Sequence, residues 1–168
     1  MNIKQIIIMR TDLNMRKGKM IAQGAHASMK VFLDRMQFNK EKINSYEYDL
    51  KLTNGMHIWI ENNFTKIVFG INSLEKLMRL KEKADEVKIP NALIKDNGLT
   101  EFKEKCPECS GYGKFSSLMT SPTALFTYYE CLKCKGTGKI NKPTITCLAI
   151  GPDESEKIDK ITGDLQLL

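Results

Sequence analysis

The sequence predicts an α/β fold, a three-layer α/β/α sandwich interrupted by a small zinc-ribbon-like insertion. Three observations lead there. Short β-branched or apolar runs at 6–9, 65–70, 92–94 and 144–151 read as strands. Between them lie stretches whose apolar residues recur at helical spacing, and strands alternating with helices form a sheet covered on both faces. Beyond Thr100 the composition changes abruptly, and Cys106-Pro-Glu-Cys109-Ser-Gly-Tyr-Gly113 is echoed by Cys131-Leu-Lys-Cys134-Lys-Gly-Thr-Gly138.

At 168 residues the chain suits one domain with room for an insertion, and a hydrophobic share of 42% suffices for a core. A net charge of +6 and a pI near 9.0 point to a polyanionic partner such as nucleic acid. No apolar run approaches the roughly 18 residues of a membrane span. The apolar part of the first nine residues is too short for a signal peptide, so a cytoplasmic chain is expected. Structural disulfides are rare in that compartment, and the five cysteines need another explanation.

The strand at 6–9 feeds a polar loop holding Arg10, Arg16, Lys17 and Lys19. A helix start attracts anions through its backbone N–H groups, and nearby cations strengthen the attraction. The same residues can also simply solvate a loop. A helix is expected over 18–37, with Ile21, Ala25, Met29, Phe32 and Met36 as its apolar face. His26 stands one position beyond Ala25, and Gln23 lines the same flank. A histidine there is either a packed, hydrogen-bonded residue or a catalyst.

Residues 38–54 read as a surface connection. The stretch Met56-His57-Ile58-Trp59-Ile60 alternates like a strand yet places Met56, Trp59 and Ile60 on one helical face. Trp59 is assigned to the core and His57 to solvent. After the second strand, Asn72 and Glu75 have the offset of a capping box. Leu74, Leu77, Leu80, Ala84 and Val87 then carry a helix to Lys88, which Pro90 ends. The third strand leads into Asp96 and Thr100. In the fourth, Cys147 is expected to be a buried apolar residue. Asp153 and Glu156 are expected to cap a last helix that carries Ile158 and Ile161 and stops at Gly163, and 165–168 could add an edge strand. Ligands of such folds bind beyond the carboxyl ends of parallel strands. The loops at 10–19 and 96–100 both leave strands and are expected to face one cleft.

The cysteine repeat defines an inserted module, 103–142, within a domain formed by 1–102 and 143–168. Each C-x-x-C followed by glycine forms a tight knuckle, and two knuckles supply the thiolates of Cys106, Cys109, Cys131 and Cys134. Four thiolates suit one tetrahedral Zn²⁺ and leave it no open position, so the ion is expected to be structural. The 21 residues between the pairs exceed the usual spacing of roughly 15–20 by one. Iron in the same cage and a redox pair are the alternatives, and two matched glycine-flanked pairs argue against the second. The knuckles resemble half of the cysteine-rich region of J-domain co-chaperones. Tyr112, Phe115, Phe126, Tyr128 and Tyr129 either stack on bases or form the small core such a module needs.

The remaining segments resemble type II peptidyl-tRNA hydrolase, the archaeal and eukaryotic type. The resemblance is carried by Arg10-Thr-Asp-Leu13, Lys17-Gly-Lys19, Ala22-Gln23, Ala25-His26-Ala27, Pro90-Asn-Ala-Leu-Ile94, Asp96 and Gly98-Leu-Thr100. It continues through Thr144-Ile-Thr146, Ala149-Ile-Gly-Pro152 and Ile158-Asp-Lys-Ile-Thr-Gly163, in order, over 128 of the 168 residues. It departs at Asn97, where the family usually has alanine, and at Gly24, which replaces a larger residue. The resemblance implies a mixed four-stranded sheet and cleavage of the ester between peptide and tRNA without a catalytic metal. It places Lys17, Asp96 and Thr100 on catalytic positions and His26, Gln23, Thr144 and Thr146 on neighbouring positions of the same cleft, the last three as substrate-binding residues; Asp96 and His26 both remain open as the general base.

The residue types suit that chemistry. A fixed cation such as Lys17 stabilises the oxyanion formed when water attacks an ester. Asp96 can take a proton from that water, and the Thr100 hydroxyl can hold it. Aspartate in Asp96-Asn97-Gly98 is equally an ordinary turn residue. Arg10, Arg16 and Lys19 would meet phosphates of the tRNA, a contact independent of sequence. tRNA is thus the expected partner, with the ribosome and a second copy of the chain as further ones. The rival reading is a zinc-bearing RNA-binding adaptor on an inactive scaffold, against which stand Lys17, Asp96 and Thr100.

Overall fold

The computed structural model describes residues 2–38, 47–117 and 127–168; Phe126 and residues 39–46 of the expected connection lie outside them. In chain order the elements are β1 (Ile3–Arg10), α1 (Lys17–Leu33), β2 (Met36–Phe38), β3 (Tyr48–Leu50), α2 (Asn54–Glu61), β4 (Lys66–Ile71), α3 (Leu74–Glu86) and β5 (Asn91–Asp96). They continue as β6 (Lys103–Lys105), β7 (Lys114–Ser117), β8 (Thr127–Glu130), β9 (Lys139–Asn141), β10 (Thr144–Glu154), α4 (Ser155–Thr162) and β11 (Gln166–Leu167). Two compact units result, residues 1–95 with 145–168, and residues 96–144.

The first unit is organised around β1, every residue of which is buried. Alternate side chains of a strand point to opposite faces, and here both faces are covered. Ile6 and Ile8 join Leu77, Leu80 and Ala84 of α3, Ile158 of α4, and Leu148 and Ile150 of β10 in one apolar core. On the other face, Gly24 of α1 lies over Ile7 and Met9. There Ser28 Oγ donates to the fully buried Gln5 at 2.6 Å. Phe32 of α1 stacks on Trp59 of α2, ring centroids 5.7 Å apart.

The sheet is mixed and has five strands in the order β11-β4-β1-β10-β5. β1 runs parallel to β4, with Ile7 opposite Val68, and antiparallel to β10, with Ile7 opposite Ala149. The fifth strand is the short edge at the carboxyl end, β11, antiparallel to β4. Among the described residues, no helix is long and apolar enough to cross a membrane.

Several local expectations change. α1 ends at Leu33 rather than 37, and Met36 instead opens a strand pair in which Phe38 meets Tyr48. Its buried face is Gln23, Gly24, Ala27, Ser28 and Val31, whereas Ile21 and Met29 are exposed. The reason is steric, because small residues let the helix approach the sheet closely. The stretch at 56–60 is helical, started by Thr53 Oγ1 accepting from Met56 N–H. α3 is capped one residue later than expected, by Ser73 Oγ accepting from Lys76 N–H. It closes with Ile89 N–H donating to Ala84 O and Lys88 N–H to Asp85 O, a Schellman closure with Lys88 at φ 57°. Glu154, not Asp153, stands at the N-cap of α4 and makes no side-chain cap there.

In the second unit β6 pairs with β9 and β7 with β8, both antiparallel. Among the described residues, the buried apolar cluster there is Cys106, Cys109, Cys131 and Cys134, with Ile140 packed against it.

Candidate active site and cysteine centre

β1 ends at Arg10 and β4 at Ile71, parallel neighbours whose exits are tied by Thr11 N–H and Oγ1 to Ile71 O. The Arg10 guanidinium is buried. Its Nε and Nη2 donate to the two Asp12 oxygens at 3.1 and 2.5 Å, and Nη1 donates to Ile145 O at 3.0 Å. That hydrogen bond, followed by the charge of Arg10, holds the Asp12 carboxyl below the usual carboxylate range. Arg10, expected on tRNA, is therefore bonded inside the protein. Its partner two residues along was not singled out in the sequence, although opposite charges at i and i+2 of a strand exit are a readable signal.

α1 starts from Arg16 at its N-cap, with no side-chain cap and no acidic residue in the first turn. Lys17 and Lys19 occupy that turn instead, and cations there oppose the helix dipole by about 0.3–1 kcal/mol each. Such a start is unfavourable for the isolated helix and favourable for holding an anion. Lys17 is exposed.

His26 is also exposed. Nine residues separate it from Lys17, which at about 1.5 Å and 100° per residue puts them roughly 14 Å apart on opposite sides of α1. The helix thus brings His26 onto the flank of Lys19 rather than that of Lys17. Gln23 faces inward, and its Oε1 accepts from the buried Thr146 hydroxyl at 2.5 Å. The Cys147 thiol, as expected, is buried; it donates to Gln23 O at 3.2 Å, and burial pushes its pKa up to about 12. This polar seam between α1 and β10 has no sequence signature, because its partners are 123 residues apart.

Asp96, Thr100 and Thr144 belong to the second unit. Asp96 is half-buried at the last position of β5, and its Oδ1 accepts from Gly98 N–H at 2.8 Å. A carboxylate bonded two residues ahead fixes the turn. Gly98 has φ 71°, and a Cβ there would lie 2.5 Å from Phe102 O, so only glycine fits. Thr100 is exposed, and the Thr144 hydroxyl donates to Lys142 O at 2.9 Å. Asp96 is therefore a turn residue, and the same bond aims its carboxylate.

The two knuckles are related by near two-fold repetition. Cys106 N–H donates to Gly138 O at 2.9 Å and Cys131 N–H to Gly113 O at 2.8 Å. A Cβ on Gly113 would sit 2.1 Å from Gly136 O, and one on Gly138 would sit 2.2 Å from Gly111 O. The repeated glycines are thus required where the knuckles cross. All four Sγ atoms lie within 4.8 Å of one another and are buried. Cys106 and Cys131 sulfurs are 3.8 Å apart, and those of Cys109 and Cys134 3.7 Å. A disulfide is about 2.05 Å long, and a tetrahedral ZnS₄ cage with Zn–S near 2.3 Å has edges of about 3.8 Å. Gly113 and Gly138 N–H groups donate to Cys109 and Cys134 Sγ, as thiolate ligands require. The residues fit a tetrahedral metal.

The family model for Peptidyl-tRNA hydrolase PTH2 matches residues 3–123 and 116–168. The chain belongs to this family. A peptidyl-tRNA hydrolase of Sulfurisphaera tokodaii is 32% identical over 168 residues, covering all of both chains. One from Methanothermobacter thermautotrophicus is 32% identical over 166 residues, 99% of this chain and 100% of its own. The Thermoplasma acidophilum protein is 30% identical over 165 residues, 98% of this chain and 97% of its own.

Proposed function

We propose that the chain hydrolyses the ester joining peptide to tRNA in peptidyl-tRNA, releasing both. The observation that carries this reading is membership of the PTH2 family along nearly the whole chain. In this reading the Lys17 ammonium stabilises the oxyanion that forms as water adds to the ester carbonyl. Asp96 takes the proton of that water, and the Thr100 hydroxyl positions it. Arg16 and Lys19 meet phosphates, while Arg10 stiffens the exit of β1 by its bonds to Asp12 and Ile145. His26 then serves on the Lys19 flank as a contact to the RNA rather than as a partner of Lys17. Gln23 and Thr146 keep α1 in place on β10 instead of touching substrate, and Thr144 anchors the return from the cysteine unit.

In the same reading Cys106, Cys109, Cys131 and Cys134 hold one structural Zn²⁺. Bound there, the ion would organise the knuckles and supply no Lewis-acid position, since all four ligands are protein thiolates. The test is a split between rate and affinity. Lys17→Ala should lower kcat by about 10²-fold or more with little change in Kd for tRNA. Arg16→Ala should raise Kd and leave single-turnover rate near wild type. A Lys17→Ala protein with wild-type turnover would remove the oxyanion role.

A further inference from the structure

The flank of α1 that the sequence pattern assigns to the core is open. Ile21 is 73% exposed and Met29 59%, and with Met20, Val68 and Leu168 they wall a groove of about 760 Å³. Its floor is Ile7 and Met9 of β1, and Lys17 stands at its beginning. The α1 residues that line it, Lys17 through Met29, recur at three- and four-residue steps, so the groove follows the helix. Twelve residues of helix at 1.5 Å each make it about 18 Å long.

We infer that this groove receives the peptide part of peptidyl-tRNA, extended along α1 and away from the ester. The inference rests on Lys17 acting at that ester. The peptide is joined to the very carbonyl that Lys17 would polarise, so it must leave the site over the surface that begins there. The lining contributes three methionines, Met9, Met20 and Met29, whose flexible side chains adapt to varied apolar partners, and a nascent peptide has no fixed sequence. β11 already covers the outer edge of β4 at Phe69 and Gly70, so along that stretch an incoming chain is held by side-chain contact and not as an added strand. Two lysines, Lys17 and Lys66, stand on an otherwise apolar lining, which suits peptide side chains better than a run of phosphates.

An extended chain advances about 3.3 Å per residue, so 18 Å accommodates about five residues. The test uses the full-length protein and a series of peptidyl-tRNAs carrying one to eight apolar residues, read for both kcat/KM and Kd. Both should improve up to about five residues and then level off. Met29→Asp lies at the far end on an exposed position and should lower the five-residue to one-residue ratio about tenfold. A flat series for the wild type, or an unchanged ratio in Met29→Asp, would overturn the inference. So would light scattering that shows a wild-type dimer dissociated by Met29→Asp, because the face would then be an interface between copies. Because Kd needs no turnover, length-dependent binding without any hydrolysis would keep the groove while overturning the enzymatic reading.

Discussion

Loss of the metal is expected to unfold the cysteine unit and spare the sheet. Among the described residues, the apolar cluster of the second unit contains the four cysteines and one packed aliphatic residue, Ile140. Burying an isoleucine contributes about 1.5–3 kcal/mol at most. Fixing each backbone residue costs roughly 1–2 kcal/mol, so that cluster cannot order a unit of this length. A structural zinc contributes about 10–16 kcal/mol in small finger peptides and is large enough to tip the balance. The first unit has an independent core around Ile6, Ile8, Leu148 and Ile150. Wild-type protein should therefore carry one zinc per chain by elemental analysis, and Cys106→Ser with Cys109→Ser none. In that double variant, hydrogen exchange should become fast at the Cys131 amide, bonded at 2.8 Å to Gly113 O, and stay slow along β1. Metal-free protein that keeps the Cys131 amide protected would refute the reasoning.

Two further outcomes follow from buried and paired groups. Thr146→Val removes the hydroxyl that satisfies Gln23 Oε1 in the interior, at a cost of about 1–3 kcal/mol. Thermal unfolding should show a drop of roughly 3–10 °C, and an unchanged Tm would mean that the seam is not a stabilising contact. The Arg10–Asp12 pair lowers the folded pKa of Asp12, so its contribution is full above the unfolded carboxylate value of about 3.9 and is lost as pH falls through the lowered one. The gap in urea midpoint between wild type and Asp12→Asn should be present at pH 7 and shrink steadily below about pH 4. A gap that persists undiminished into strong acid would contradict the pairing.

The strands β1, β4, β5 and β10 are readable because each holds a local apolar run, and the cysteine knuckles because spacing and glycine positions are set within eight residues; β2, β3 and the short strands β6 to β9 carry no such run and are not. The face that α1 buries departs from its apolar stripe for a physical reason. Its sequence shows a conventional stripe of Ile21, Ala25 and Met29, but the side that packs is small and partly polar. Gln23 and Ser28 can be buried only because Thr146 and Gln5 meet them, and no local pattern shows partners so distant. The same blindness hid the groove, since exposed methionines and isoleucines look like core until the sheet beneath them is seen. Arg10 looks like a free cation only while its distant acceptor is unseen: Asp12 is two residues away and legible in the sequence, whereas the Ile145 carbonyl becomes a neighbour when β1 and β10 pair. α3 ends at Glu86 rather than Lys88, because the chain turns at Lys88 in the left-handed region before Pro90 is reached, and its cap lies one residue later than the pattern suggests because Ser73 reaches the Lys76 amide.

Cleavage of peptidyl-tRNA with Asp96 as the proton acceptor underlies every role assigned to the site. Single-turnover release of peptide from peptidyl-tRNA, measured for wild type and Asp96→Ala with the Kd of each, tests it most directly. Asp96 also fixes the turn at Gly98, so Asp96→Asn, which keeps an oxygen for that N–H, accompanies it. Wild type should release peptide rapidly, both variants should lose about 10²–10⁴-fold, and each Kd should stay within a few-fold of wild type. Wild-type protein that binds the substrate tightly and releases no peptide would contradict that cleavage and leave an RNA-binding adaptor in its place.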